Sequence, residues 1–596
     1  MSAQPVPAAV PFDDSRRLTG ANLYFDVPGA VLEVVPGVAF DGAAQARWRQ
    51  RVAQARKALG WPDAQPAVAR THAGGTTLAI AAPIDGLFTA TEINEWALYT
   101  ALGLRSGPES VDGEDQPPRP HPAHFDEAEA LRQLADAARA EAVRNGPLMA
   151  LLEAAHTHGL PARADDALLS IGEGATSQQW PLAALPEPDA VAWPSLRGIP
   201  KALVTGSNGK TTTVRLLAAL LADGGRKVGH SCTDGVVVDG ARATAGDYSG
   251  PAGARAVLRA PGVQAAVLET ARGGMLRRGL AVDDADAAIV TNVSADHFGE
   301  YGIDDLDALA EVKLVVAKGL RPDGLLVLNA SDPLLAAHAA HVQGRRIGWF
   351  AQDLEQARAR GLPACGGRDG KLRLATETVE YDLGAIADMP LTVGGAARYN
   401  IENIAAAALA AHALAVPPDR IAAVLSRFGA SNADNPGRLQ RWHLGGVEVV
   451  LDYAHNPEGL QGLFELASGL RHGRMALLLG HAGNRRDEDY RAVAEVVARA
   501  RPDRVWLKDI GGNYLRGRKS GDVAHILHDA LHGFGMPLDA LPICLDEAQA
   551  AREALAWAEN GDLLLLPVHE PSRREAVVAL LDRLQAAGWR AGQALP

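Results

Sequence analysis

The amino-acid sequence predicts an α/β protein: two successive domains with doubly wound, largely parallel sheets, preceded by an α+β region. Two observations carry that prediction. From residue 200 onward, short apolar runs of strand length alternate with Ala- and Leu-rich segments of helix length. Alternation of this kind specifies a parallel sheet covered on both faces. Before residue 200 the runs are mixed, and two proline-rich stretches break them. At 596 residues the chain is long enough for three or four domains with their own cores.

In the N-terminal region, residues 30–35 and 76–82 read as strands, and 44–59 and 125–145 as helices. Residues 106–124 and 186–200 are too acidic or too rich in proline for a helix or a central strand and read as linkers. A domain over 1–185 is therefore expected to stand apart. The next domain, 198–432, is expected to place strands at 202–205, 265–268, 287–291 and 325–328, with helices at 212–223, 306–318 and 333–341. The last, 433–596, is expected to place strands at 447–451, 476–479, 504–507 and 563–566, and helices at 459–468, 490–499, 522–531 and 547–557.

The net charge of −13 argues against bulk attraction to nucleic acid or to an anionic membrane, so neither is an expected partner. Three cysteines (Cys232, Cys365 and Cys544) cannot make a disulfide framework in so long a chain, and they lie too far apart for a zinc knuckle. A reducing cytoplasm is the expected compartment. The N-terminus lacks the basic start and apolar run of a signal peptide, and no apolar run approaches a membrane span.

The sharpest local signal is TGSNGKTT, residues 205–212. A strand runs into a glycine-bearing turn, and Lys-Thr opens a helix. Backbone N–H groups of Gly206, Ser207, Asn208 and Gly209 can close on phosphate oxygens, and the helix N-terminus adds positive potential. Lys210 can reach the terminal phosphates, while the hydroxyl of Thr211, with Thr212 behind it, can ligate Mg²⁺. The usual loop pattern wants glycine at 204, where this chain has Val204. ATP is the expected nucleotide, since nothing suggests readout of guanine. Glu269 ends the strand at 265–268, and Asp296 and His297 follow the strand at 287–291, where open α/β sheets bind ligands. Mg²⁺ takes oxygen ligands and shares them with substrate phosphates, so Thr211 with Glu269 forms a candidate site.

In order along the chain, TGSNGKTT, LETARGG, TNVSADH, VLNASD, NPGR, DYAHNP and GNRRDED resemble the Mur ligase superfamily of ATP-dependent amide ligases. Within it, the stretches 231–240, 268–280 and 515–523 are most similar to the C-terminal ligase half of cyanophycin synthetases. The resemblance covers about residues 198–596, and there Val204 is an ordinary feature. It implies a Mur ligase-like central P-loop ATPase domain and a C-terminal doubly wound domain. Lys210 and residues 206–209 would hold the β- and γ-phosphates. Thr211 and Glu269 would hold one Mg²⁺, with His297 helping to hold a second. Lys313 matches the lysine that many of these ligases carbamylate, which turns an ammonium into an anionic oxygen ligand. Asn400 and Asn403 match the adenine-side motif. Arg438 and Asp452 match the pair that the last domain swings onto the nucleotide.

The implied reaction has two steps. A substrate carboxylate takes the γ-phosphoryl group to give an acyl phosphate and ADP; an amino-acid amine then displaces phosphate. The implied partners are a small-molecule or peptide carboxylate and an amino acid, with a homodimer as the implied assembly. Cyanophycin synthetases also carry an ATP-grasp module, for which the roughly 200 residues before the phosphate loop leave too little chain beside another domain; one ligation activity is therefore expected, not two. The segment 568–572 (VHEPS) departs from the cyanophycin synthetase pattern where the incoming amino acid is selected, which argues against arginine. The competing readings are a catalytically silent ligase-like subunit docking a separate ATP-grasp enzyme, and a folylpolyglutamate synthase-like ligase.

Overall fold

The computed structural model describes residues 10–62, 65–104, 121–295, 298–342, 344–470 and 473–595. The N-terminal part begins with a four-stranded antiparallel sheet in the order Phe12–Leu18, Gly29–Val34, Gly75–Ala81, Ala67–His72. Helices Gly42–Leu59 and Leu87–Ala101 cover one face and bury Trp48 and Trp96 against Leu78 and Ile80. A buried amide in that core is satisfied: Trp48 Nε1 donates to Asn94 Oδ1 at 2.9 Å, and Asn94 Nδ2 donates to Leu78 O at 2.9 Å.

The helix expected at 125–145 instead runs over Glu127–Thr157, straight through Pro147. A proline inside a helix costs about 3 kcal/mol. Here the carbonyl it leaves unbonded belongs to Val143, which is 80% exposed, so water can satisfy it. The extra turns bury Leu148 and Leu151, worth roughly 2 kcal/mol each, and that burial outweighs the proline. One helix thus serves two cores. The second core closes on a small sheet of Ala162–Ala164, Leu168–Ile171 and Gln178–Pro181.

The linker expected at 186–200 is part of that second core. It folds as short 3₁₀ turns that bury Val191 and Leu196. Most of the other expected linker, 105–120, lies outside the described residues; its end is packed, with His121 buried and its Nδ1 accepting from Ala123 N. Nor does the N-terminal region stand apart. Glu173 and Asp284 share Arg163 and Lys201 in a buried cluster, with Lys201 Nζ 2.9 Å from Glu173 Oε2 and 2.7 Å from Asp284 Oδ2.

The central sheet has eleven strands. Its parallel heart runs Val228–Cys232, Ala265–Glu269, Lys201–Thr205, Ala285–Val290, Leu320–Asn329, Arg346–Asp353, Ala364–Arg368. Antiparallel strands extend both edges: Gly235–Val238 with Ala241–Ala245 on one, Lys371–Ala375 with Glu380–Ala385 on the other. Helices Lys210–Ala222 and Arg398–Ala413 cover one face, where the buried alanines 405–408 let the two pack closely. Leu306–Leu314 and Pro251–Arg259 cover the other. In register, Val204 pairs with Glu269 and Thr205 with Val290. The loops that leave three adjacent strands therefore meet at one carboxyl edge.

The C-terminal sheet has the order Gln440–Leu444, Val447–Asp452, Leu563–Pro567, Met475–Leu479, Arg504–Leu507, parallel except for its first strand. Helices cover both of its faces. No helix among the described residues is long and apolar enough to cross a membrane.

Candidate active site

A cleft of about 480 Å³ opens where the carboxyl edge of the central sheet faces the C-terminal sheet. Residues 206–212 line it together with Glu269, Lys313, Asn400, Asn403, Arg438 and Asp452, so the structure gathers these expected site residues in one place. His297 and Asp296 lie outside the described residues.

The phosphate loop is held open by the strand beside it. Thr291 Oγ1 donates to Asn208 O at 2.6 Å, and Asn292 Oδ1 accepts from Asn208 N at 2.8 Å. Ser207 Oγ donates to Ser294 O at 3.0 Å and accepts from Ser294 N at 2.9 Å. Gly206 has φ +144°, and a Cβ there would stand 1.8 Å from Thr291 Oγ1. Lys210 folds back over the loop, its Nζ donating to Gly206 O at 2.9 Å and Ser207 O at 3.0 Å. These props are polar residues directly after an apolar strand; that pattern could have marked them, but the sequence reading singled out only Asp296 and His297 from the segment.

Below the loop, Thr211 Oγ1 donates to Glu269 Oε2 at 2.8 Å. Glu269 is 1% exposed, and among the described residues its Oε1 has no hydrogen-bond partner. Burial pushes this carboxyl above the ordinary range, with Lys210 and the Thr211 hydroxyl opposing it. An orphaned carboxylate oxygen beside a threonine hydroxyl, under a phosphate loop, fits a divalent cation with oxygen ligands. Lys313 is 4% exposed on Leu306–Leu314 and faces the same cleft.

Asn400 and Asn403 bind protein groups here. Asn403 Nδ2 donates to Asn400 Oδ1 at 3.0 Å, and Asn400 Nδ2 donates to Leu391 O at 2.9 Å. They fasten helix Arg398–Ala413 beside the loop.

The C-terminal sheet supplies the other side. Arg438 lies over the Tyr453 ring at 4.0 Å, and Asp452 accepts from the backbone N–H groups of Leu439 (2.8 Å) and Ala454 (2.9 Å). The two sheets are pinned together by residues that, Thr212 apart, the sequence reading missed. Arg215 Nη1 donates to Pro436 O at 2.6 Å, Asn435 Nδ2 donates to Thr212 Oγ1 at 3.2 Å, and Asp234 pairs with both Arg215 and Arg574. Burial raises the Asp234 carboxyl, but the guanidinium groups of Arg438, Arg574 and Arg215 outweigh it and bring it down to about 2. Such partners are 19 to 340 positions apart, so no local motif announces them.

Deeper in the C-terminal sheet, fully buried Lys508 pairs with Glu547 at 2.5 Å and donates to His569 Nδ1 at 3.2 Å. The other ring nitrogen, His569 Nε2, lies 3.2 Å from Ala454 O, a carbonyl that can only accept. A neutral ring with its proton on Nε2 satisfies both of these contacts, with Glu547 Oε1 also 3.4 Å from Nδ1. Burial and Lys508 lower the His569 pKa to about 4, in agreement with a neutral ring at physiological pH.

Comparison with known proteins gives the same picture. The chain matches the Mur ligase middle domain over residues 204–411 and the Mur ligase, glutamate ligase domain over residues 437–567. It is 36% identical over 391 residues to the cyanophycin synthetase of Crocosphaera subtropica, which covers 65% of this chain and 44% of that one. It is 31% identical over 475 residues to the UDP-N-acetylmuramoyl-L-alanyl-D-glutamate--2,6-diaminopimelate ligase of Xanthomonas campestris pv. campestris, covering 73% of this chain and 89% of that one. Among solved structures it is similar to E. coli FolC in complex with DHPP and ADP, at 20% identity and a TM-score of 0.48, covering 64% of this chain and 89% of that one. The chain spans less than half the length of the cyanophycin synthetase it matches. Its α/β fold and the order of its motifs agree with these matches, and the chain belongs to the Mur ligase family.

Proposed function

We propose that the chain is an ATP-dependent amide ligase, resembling cyanophycin synthetase, that joins a peptide or small-molecule carboxylate to an amino-acid amine. The observation that carries this reading is the buried Thr211–Glu269 pair beneath the phosphate loop, in a cleft that Arg438 and Asp452 complete from the other sheet. Lys210 releases the carbonyls of Gly206 and Ser207 and turns to the β- and γ-phosphates. The backbone N–H groups of the loop fix the phosphate chain. Asn400 and Asn403 set the adenine side, and Arg438 reaches the nucleotide from the far wall.

Thr211 and Glu269 would hold one Mg²⁺, and His297 with Lys313 a second. Bound there, the ions supply positive charge against the joint repulsion of acid and nucleotide. With charge neutralised, the substrate carboxylate oxygen bonds to the γ-phosphorus as the bond to ADP breaks. The amine then bonds to the acyl carbon, loses a proton, and phosphate leaves. Holding three reactants in line supplies much of the acceleration. The clasp of Arg215, Asp234 and Arg574 keeps the sheets together and water away from the acyl phosphate.

Separate hydrophobic cores support a division into domains 1–185, 198–432 and 433–596, although Val191 and Leu196 extend the first beyond residue 185. Burial of Lys313 at the cleft supports its carbamylation, which intact mass in bicarbonate buffer would read as one added CO₂. Buried Cys232 and Cys365 with no disulfide suit a cytoplasmic protein. The homodimer rests on the resemblance alone and is tested by light scattering.

The deciding experiment is ADP release with Mg²⁺-ATP across a panel of amino acids and aspartyl or glutamyl peptides, with product mass read in parallel. A product lighter by one water than its two substrates combined, absent with Lys210→Ala, establishes the ligase. Substrate-dependent turnover that survives Lys210→Ala refutes the assignment.

A further inference from the structure

A further part of the cleft wall comes from helix Arg272–Arg278 and, in the segment 299–304, from Glu300. Arg272, Arg277 and Glu300 from this wall face the cleft. Arg272 Nη2 donates to Glu300 Oε2 at 2.5 Å, and Glu300 Oε1 accepts from Asn484 of the C-terminal sheet at 2.9 Å. Arg277 Nε donates to the Tyr301 hydroxyl at 2.8 Å. Met275, Leu276 and Ile303 from these two pieces are buried in the core of the central domain, and on their outer side both pieces meet the N-terminal sheet.

Arg16, on the edge strand Phe12–Leu18, touches both pieces at once. Its Nε donates to Leu276 O at 3.0 Å, in the last turn of the helix, and its guanidinium carbon stands 4.6 Å from the Tyr301 ring centroid. A cation at the C-terminal end of a helix satisfies a carbonyl the helix cannot and opposes its dipole. Arg16 is itself clamped: Nη2 pairs with Glu33 Oε1 at 2.7 Å and Nη1 with Asp14 Oδ2 at 2.7 Å. The other Glu33 oxygen accepts from Thr77 Oγ1 at 2.6 Å. Arg16 and Glu33 are both buried. Around this anchor, Ala73 N donates to Asp304 Oδ2 at 2.7 Å, Thr19 N to Arg278 O at 2.9 Å, and Leu280 N to Ala21 O at 2.8 Å.

We infer that Arg16, locked by Glu33, is a positioning residue that holds the Arg272–Glu300 wall of the cleft in place from the N-terminal sheet. The function of the N-terminal sheet then includes setting the part of the cleft that carries Arg272 and Arg277, the cations we assign to the substrate acid, while the phosphate loop is set by the strand beside it. The acid-binding assignment rests on the ligase reading; the mechanical support does not.

The test uses the full chain. Arg16→Met keeps the stem and removes the cation, but it strands a buried carboxylate. The double substitution Arg16→Met with Glu33→Gln removes both charges together, so folding is retained. Hydrogen–deuterium exchange is expected to rise about tenfold in peptides covering 272–280 and 299–304, with no change over 210–222 or over 75–81. No change in the first two peptides, or an equal rise everywhere, overturns the inference. With the acid–amine pair that the wild-type chain turns over, KM for the acid is expected to rise about tenfold while KM for ATP stays fixed, and Arg16→Lys should recover part of the loss. A parallel rise in both KM values, or a fall in kcat alone, also overturns it. A wild-type chain silent across the panel counts against the ligase reading, and the exchange result still decides the support.

Discussion

Two parts of the cleft wall are held in different ways. The phosphate-loop wall is braced from within its own sheet: Thr291, Asn292 and Ser294 grip residues 207 and 208 across two neighbouring strands. The Arg272–Glu300 wall rests on the central core through Met275 and Leu276 and is braced in addition from outside, by Arg16 and the N-terminal sheet, across 260 positions of sequence. The difference separates two tasks. A loop that binds a phosphate chain needs one backbone shape, which a local motif can encode. A wall that receives a particular acid can be retuned from behind while the loop is left untouched.

The largest effect is expected at the self-braced wall. Lys210→Ala removes the cation that the phosphate loop itself carries, and substrate-dependent ADP release should fall about 10³-fold, roughly 4 kcal/mol. Circular dichroism should remain native, because Lys210 bonds only to loop carbonyls. Turnover within tenfold of wild type would break the assignment. Gly206→Ala comes next. The new Cβ has no room against Thr291 Oγ1, and φ +144° is strained for any side chain. ADP affinity by titration calorimetry should weaken about 100-fold, near 3 kcal/mol. An unchanged affinity would show that the loop reshapes freely and that its bracing is not what sets it.

How much of this was legible follows the same division. The strand–helix alternation after residue 200 places its strands where they are found, because buried parallel strands are plain apolar runs: Arg504–Leu507 is found as expected, and Lys201–Thr205 within a residue. The antiparallel strands at 235–245 and 371–385 escaped, being short and partly exposed on the sheet margins, and so did the parallel strands Val228–Cys232, Arg346–Asp353 and Ala364–Arg368, whose sequences are interrupted by glycine or polar residues. The helix through Pro147 escaped because local propensity stops there, whereas the burial of Leu148 and Leu151 that overrides it depends on a strand twenty residues further on. In the site, the residues carried by short motifs (Lys210, Thr211, Glu269, Asn400, Asn403, Arg438, Asp452) converge on one cleft. The residues that act on them by long-range pairing, Asp234 and Arg16 above all, have no local signature.

Asp234 tests the contact between the sheets at a middle scale. Its folded pKa of about 2 lies below the ordinary 3.8, so its ionised form stabilises the clasp. That stability, about 2 kcal/mol, is fully present above pH 4 and is lost as the pH falls from about 4 to about 2. Asp234→Asn should lower the thermal midpoint at pH 7 and flatten the acid dependence in that window. An unchanged acid limb would show that Arg215 and Arg574 find other partners.

The smallest expected effect is the most discriminating for the comparison. Tyr301→Phe deletes the hydroxyl that accepts from Arg277 Nε but keeps the ring under Arg16. If the outer wall is held chiefly by the Arg16 anchor, losing this one exposed hydrogen bond should cost about 1 kcal/mol or less. KM for the acid should then move by less than tenfold, with ADP affinity unchanged. A loss as large as that of the Arg16→Met, Glu33→Gln variant would shift the anchor from the buried ion pair to the phenol. The outer wall would then be held by a bond open to water, which competes for it, and the N-terminal sheet would lose its claim to set the geometry of the cleft.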